Sequence, residues 1–147
     1  MSASKKRVET IRAVVQSVQL ESSTATLVAV DHELQEAGNV HRITPERRRL
    51  LLEVFHLLRA LETAMKDILA ANQVPAEHSL GNLLKQLSRL PPTSRGHLPM
   101  RYKHLFHNGI RVHRNLLMHQ ANAYPTSARQ AQTILGEIES CFLMILK

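Results

Sequence analysis

The chain has no tryptophan, and only three phenylalanines and two tyrosines stand among its 147 residues. That scarcity argues against the nucleic-acid modules that stack successive bases on aromatic platforms. Cys141 is the single cysteine, so no disulfide can form within the chain. Its neighbours Ile138, Phe142 and Leu143 make an apolar setting that suits a buried thiol better than a nucleophile. No apolar run is long enough to cross a bilayer, and Met1-Ser-Ala-Ser-Lys-Lys-Arg lacks the pattern of a signal peptide. A cytoplasmic protein without a membrane partner is the expectation. Repeats, linkers and low-complexity tracts are absent too. Asn108-Gly109 is the one hairpin-like dipeptide, and helical periodicity continues on both sides of it. The hydrophobic share of 44% excludes wholesale disorder, and the length suits one domain over residues 1–147 with a core of its own.

The most consequential absence is of acid. After Glu77 the next carboxylate is Glu137, and between them lie Lys85, Arg89, Arg95, Arg101, Lys103, Arg111, Arg114 and Arg129. His78, His97, His104, His107, His113 and His119 share that interval. A solvated face is the ordinary meaning of such charge. The length of the acid-free block, within a chain of net charge +7, points instead to a polyanionic partner.

What is present is helical periodicity, and an all-α bundle of about five to six helices follows. The first helix is expected from Lys5 to Gln19, with Val8, Ile11, Val15 and Val18 on one face. Glu21-Ser-Ser-Thr is a weak break before a second helix that Gly38 would terminate; two helices and one bent helix both satisfy this pattern. Thr44 as N-cap and Pro45 in the first turn would open a long third helix. Leu51, Val54, Phe55, Leu58, Leu61, Met65, Ile68 and Leu69 would be its core stripe. A fourth helix starts near Ser79 with Leu80, Leu83, Leu84, Leu87 and Leu90. A fifth runs from about Pro99 to Gln120. Thr126 or Ser127 would cap a last helix that buries Ala131, Ile134, Leu135, Ile138, Phe142 and Ile145. Gly109 sits inside the fifth helix, where it costs roughly 1 kcal/mol relative to Ala, and marks either a kink or a close approach by another backbone.

At 100° per residue, Tyr102, Phe106, Gly109, Ile110, His113, Leu116 and Leu117 fall on the inner face of the fifth helix. Arg111, Arg114, Asn115, Met118 and His119 fall on the outer face, joined by His104 and His107 if the helix stays regular through Gly109. Arg114 and His119 are about 140° apart on this wheel, bordering one groove. Asn115 precedes His119 by four residues, within reach of its ring. Arginine clamps phosphate with a rigid fork, histidine exchanges protons near neutral pH, and an amide can orient either. Arg, Asn and His on an outer face are also simply polar residues facing water. The acid-free surroundings and the complementary roles favour a site. His104 and His107, three apart, lack the further ligands that a zinc site needs, so neither a metal nor any other cofactor is expected. Glu62, at the edge of the third helix's apolar stripe, can reach the groove but reads more simply as a surface residue.

Arg114-Asn115-Leu116-Leu117-Met118-His119 resembles the signature of the HEPN superfamily of helical ribonucleases and toxins, an arginine followed by a polar residue, a short spacer and histidine near the end of a helix. Leu80-Gly81-Asn82-Leu83-Leu84 is similar to a stretch common in those domains, and the resemblance covers roughly residues 45–146. It implies a HEPN-like bundle that dimerises so that two motifs face one cleft. It also implies metal-independent cleavage of RNA through the substrate's own 2′-OH, leaving a 2′,3′-cyclic phosphate and a 5′-OH. Arg114, His119 and Asn115 would be the catalytic residues, with Arg111, His107, His104 and Lys103 along the RNA backbone. A toxin or antiviral defence effector with a cognate antitoxin or regulatory partner fits the same picture. One toxin branch carries a modified tyrosine two residues after the histidine. Ala121 stands there in this chain, and Tyr124 is the nearest tyrosine.

Other readings remain open. The superfamily includes non-catalytic members, so an RNA-binding or adaptor protein is the main alternative. A helix-turn-helix DNA binder needs a tight turn before its recognition helix, whereas Pro91-Pro92-Thr-Ser-Arg-Gly is long. A bundle that binds a protein partner without nucleic acid is the third possibility.

Overall fold

Leucine, valine and isoleucine at three- and four-residue steps make every regular element a helix, and no strand occurs among the described residues. The computed structural model describes residues 3–18, 24–119, 124, 125 and 127–146, with side chains described for 5–18, 28–117, 124, 125 and 127–146. Its elements are α1 (Ala3–Ser17), α2 (Thr24–Asn39) with a 3-10 turn at Val40–Arg42, α3 (Glu46–Ala71), α4 (Leu80–Ser88) and α5 (Met100–Phe106). A π-helical turn (His107–Arg111) then joins α5 to α6 (Val112–His119), and α7 (Ala128–Leu146) closes the chain. As α5, the π turn and α6 are contiguous, six helical rods form the bundle, in line with the all-α expectation.

The long α3 is the spine. It packs against α2, α4, α6 and α7, while α1 lies on α2 and α7. Val54, Leu57, Leu61, Met65, Ile68 and Leu69 of α3 are fully buried. They meet Ile11 of α1, Leu34 of α2, Leu83 and Leu84 of α4, and Ile138 and Phe142 of α7 in one core. Arg7 fastens α1 to two other helices at once. Its guanidinium lies 3.3 Å from the fully buried carboxylate of Glu53 and 3.3 Å from Glu139, and it donates to Gln132 Oε1 at 2.9 Å. Breaking such a buried pair by removing one partner leaves an uncompensated charge, so Arg7 fixes how α1 sits on α3 and α7. Cys141 is fully buried, and burial raises its thiol pKa well above the ordinary value, which removes it from nucleophilic chemistry.

Several local expectations change. The first two helices are not one bent helix, because they pack on each other and Arg12 of α1 grips Asp31 of α2 with bonds of 2.6 and 3.1 Å. The residues between them, 19–23, lie outside the described set, as does the Glu21-Ser-Ser-Thr break. Gly38 does not end α2; the helix continues to Asn39 and the 3-10 turn ends it. Thr44 does not cap α3. Pro45 holds the N-cap position with an extended backbone and no side-chain bond, and Glu46 in the first turn pairs with Arg49 instead. Ser79 does cap α4, accepting from Asn82 N, and Ser127 caps α7, accepting from Gln130 N. Thr126 is outside the described residues. In α3, Leu51 and Phe55 are only half-buried, although periodicity assigns them to the core.

Candidate functional site

A helical wheel assumes 3.6 residues per turn throughout, and the rod that carries the motif breaks that assumption. Residues His107–Arg111 form a π-helical turn, which holds one residue more than an α-turn. Every residue beyond it therefore lags by up to roughly one angular step, about 100°. The consequence is visible in burial. Phe106, Ile110 and Leu117 are buried as the wheel requires. Leu116, expected on the inner face, is 44% exposed, and the exposed residues Leu105, Val112 and Leu116 form an apolar stripe on the outside of the rod. Arg114, expected outside, is rotated toward the bundle.

Gly109 lies in the middle of this turn under a close approach, made by a side chain rather than by another backbone. A Cβ at Gly109 would stand 3.2 Å from Cγ and 3.3 Å from Cδ of Glu137. The glycine therefore lets α7 press its glutamate against the turn. Gly81 of α4 has a similar role one turn further on: its missing Cβ would meet Arg111 Nε at 2.9 Å and Cδ at 3.0 Å, so Arg111 lies along α4.

Arg114 points the other way, to α3. Its Nε donates to Glu62 Oε1 at 3.1 Å, and the two side chains are 23% and 16% exposed. Together with Phe55, Leu58 and Arg59 they line a cavity of about 170 Å³. Phe55 also lines a second, apolar cavity of about 270 Å³ with Leu51, Leu52 and Leu117. The Arg59 guanidinium lies 5.3 Å from the centre of the Phe55 ring and 3.5 Å from Glu33 Oε2. Glu33 in turn accepts from His56 Nδ1 at 2.6 Å.

Of the residues singled out in the sequence, Arg114 is thus a half-buried cation at the wall of a cavity. Asn115 is half-buried on the next position of α6. His119 is the last residue of α6, and its side chain, like that of Met118, lies outside the described set. Lys103 and His107 are half-buried and His104 is exposed, all on the α5 side of the π turn. Arg111 is drawn to α4, so the two motif-proximal arginines serve different neighbours. His113, expected in the core, is half-buried. Among the described residues no three His, Cys, Asp or Glu side chains gather closely enough to hold a metal ion, and no helix is long and apolar enough to cross a membrane.

Glu62 is the site residue that sequence reasoning passed over. Its place at the edge of the α3 stripe was the signal, but only the π turn puts Arg114 opposite it. Comparison with protein-family models, curated proteins and solved structures finds no match for this chain. What the arrangement can do therefore rests on its chemistry: a guanidinium held at a cavity mouth, an amide beside it, and a histidine at the end of the same helix.

Proposed function

We propose that this protein is a metal-independent endoribonuclease of the HEPN type, working at a site shared by two copies of the chain. Arg114 stabilises the charge that develops on the scissile phosphate. His119 takes the proton of the 2′-OH, which attacks the adjacent phosphorus, while a second acid, the same residue of the other copy, gives a proton to the departing 5′-oxygen. The products are a 2′,3′-cyclic phosphate and a 5′-OH. Asn115 orients His119 or a phosphate oxygen. Arg111, His107, His104 and Lys103 lie along the RNA backbone. The observation that carries this reading is the half-buried Arg114 lining a cavity, on the helix that ends in His119. A cation partly withdrawn from water at a cavity mouth binds an anion more strongly than one in open solvent.

The exposed stripe of Leu105, Val112 and Leu116 supports the pairing of copies, because each apolar patch can meet its own image across a two-fold axis. Such an activity in the cytoplasm needs restraint, which fits a toxin or defence effector with an inhibitory or regulatory partner. A non-catalytic RNA-binding or adaptor role is the second reading, and the Arg114–Glu62 pair favours it, since a structural ion pair has the same geometry. The deciding test incubates the purified protein with mixed RNA in EDTA beside Arg114→Ala and His119→Ala. Cleavage by the wild type alone supports the nuclease. RNA binding by all three without cleavage supports the adaptor.

A further inference from the structure

The face that α3 turns toward α6 carries Arg47, Leu51, Phe55, Arg59 and Glu62 at steps of four, four, four and three residues. Leu51 and Phe55 are the two members of the apolar stripe that the fold leaves half open, and both line the 270 Å³ cavity beside Arg114. We propose that this apolar slot seats one nucleobase of a single-stranded RNA, with Phe55 as its stacking wall. This rests on the nuclease reading for the identity of the ligand, and names the part of the substrate that the Arg114 cavity does not hold.

Three observations support a base over other occupants. The first is the ring itself. The other two phenylalanines, Phe106 and Phe142, are sealed in the core, and Phe55 alone is half open. The low aromatic content excludes a platform for several bases, and a single ring suffices for one. The second is continuity. Phe55 lines both cavities, so an apolar slot adjoins a cavity with a guanidinium in its wall. A nucleotide has the same two halves, a flat base and an anionic phosphate. The slot's volume lies just under the roughly 300–1,000 Å³ of sites for larger small molecules, as a single base requires. The third is charge. Arg47 and Arg59 flank the slot, and Arg59 lies over the Phe55 ring, giving the mixed guanidinium and aromatic surface on which unstacked bases settle.

The test is fluorescence anisotropy with two hexanucleotides of equal charge, one a 2′-O-methyl RNA with bases and one abasic throughout. The wild type should prefer the base-bearing strand by at least about fivefold, the factor that corresponds to about 1 kcal/mol of base stacking. Phe55→Leu should bring the ratio near one while leaving the abasic strand's affinity within about twofold, and Phe55→Tyr should restore it. Leu52→Phe, which narrows the slot and keeps the ring, should lower the same ratio, and it carries the test if Phe55→Leu does not fold. A ratio of one in the wild type, a ratio unchanged in these variants, or no measurable binding of either strand overturns the proposal. So does a Phe55→Leu protein that changes its sedimentation but not the ratio, which would make the slot a contact between copies. A 2′-O-methyl strand offers no 2′-OH, so the readout is independent of cleavage. Failure of the nuclease reading shows as intact unmodified RNA with the ratio preserved; failure of the slot shows as a lost ratio with cleavage preserved.

Discussion

Arg114 Nε and Glu62 Oε1 are joined by a 3.1 Å hydrogen bond across the groove between α6 and α3. In sequence Arg114 belongs to a block without a single carboxylate from His78 to Gly136. In space the block has two, because α3 brings Glu62 to Arg114 and α7 brings Glu137 to the π turn. The segment is thus less naked a cation than its composition implies, and Arg114 is held at a defined place.

If Glu62 competes with phosphate for Arg114, Glu62→Gln should tighten the binding of a 2′-O-methyl RNA. The gain should reach about fivefold at most, since a partly exposed ion pair withholds ~1 kcal/mol or less. Titrations at several salt concentrations measure it, because the released cation should also steepen the salt dependence. Weaker binding from the same variant would show that the carboxylate positions Arg114 instead.

The π turn contains one residue beyond an α-helical register, and Asn108 within it is exposed. Deleting Asn108 should therefore convert the rod to a regular helix while both halves keep their present orientation. The expected protein is folded, melts within a few degrees of the wild type, and retains its RNA affinity. Deleting Asn115 instead would turn His119 by about 100° and should abolish activity. Circular dichroism melts beside the binding assay separate the two outcomes.

Neighbouring leucines in the motif should respond in opposite ways. Leu117 is 7% exposed, and Leu117→Ala should cost roughly 2–5 kcal/mol. Leu116 is 44% exposed, and Leu116→Ala should change stability by about 0.5 kcal/mol or less. Urea unfolding of the two variants measures the difference. In sedimentation Leu116→Glu should weaken self-association without unfolding the chain, if the outer apolar stripe joins two copies.

The contrast between these leucines also shows where the sequence stops being informative. Hydrophobic spacing locates the helices, and Ser79 and the Leu80–Leu87 run delimit α4 closely, because these signals are local. It places Arg114 and Leu116 on the wrong sides of their helix, since a π turn leaves no mark in spacing that an α-helical wheel can read. Gly109 was the one local sign of irregularity. The half-open state of Leu51 and Phe55 is equally hidden, because whether a partner covers an apolar face is decided by tertiary packing.

Asp31 gives the fold a measurable acid limb. The bond from the Arg12 guanidinium holds its carboxyl below the ordinary value of 3.8. Stability from this pair is therefore fully present above that value and is lost as pH falls below it, through the lowered folded-state pKa. The melting temperature of the wild type should exceed that of Asp31→Asn at pH 6, and the gap should close as the pH drops below about 3.8. A gap that stays constant down to acid pH would show that the pair contributes through packing alone.

The central claim is that Arg114 and His119 cut RNA with the substrate's own 2′-OH. The most direct measurement maps a cut site in unmodified RNA in EDTA and then repeats the reaction with a single 2′-O-methyl at the nucleotide preceding the cut. The account predicts cleavage of the first strand with 2′,3′-cyclic phosphate and 5′-OH ends, and survival of the second at that position. Efficient cutting of the 2′-O-methyl strand, or unmodified RNA left intact by the wild type at every concentration tested, would contradict it.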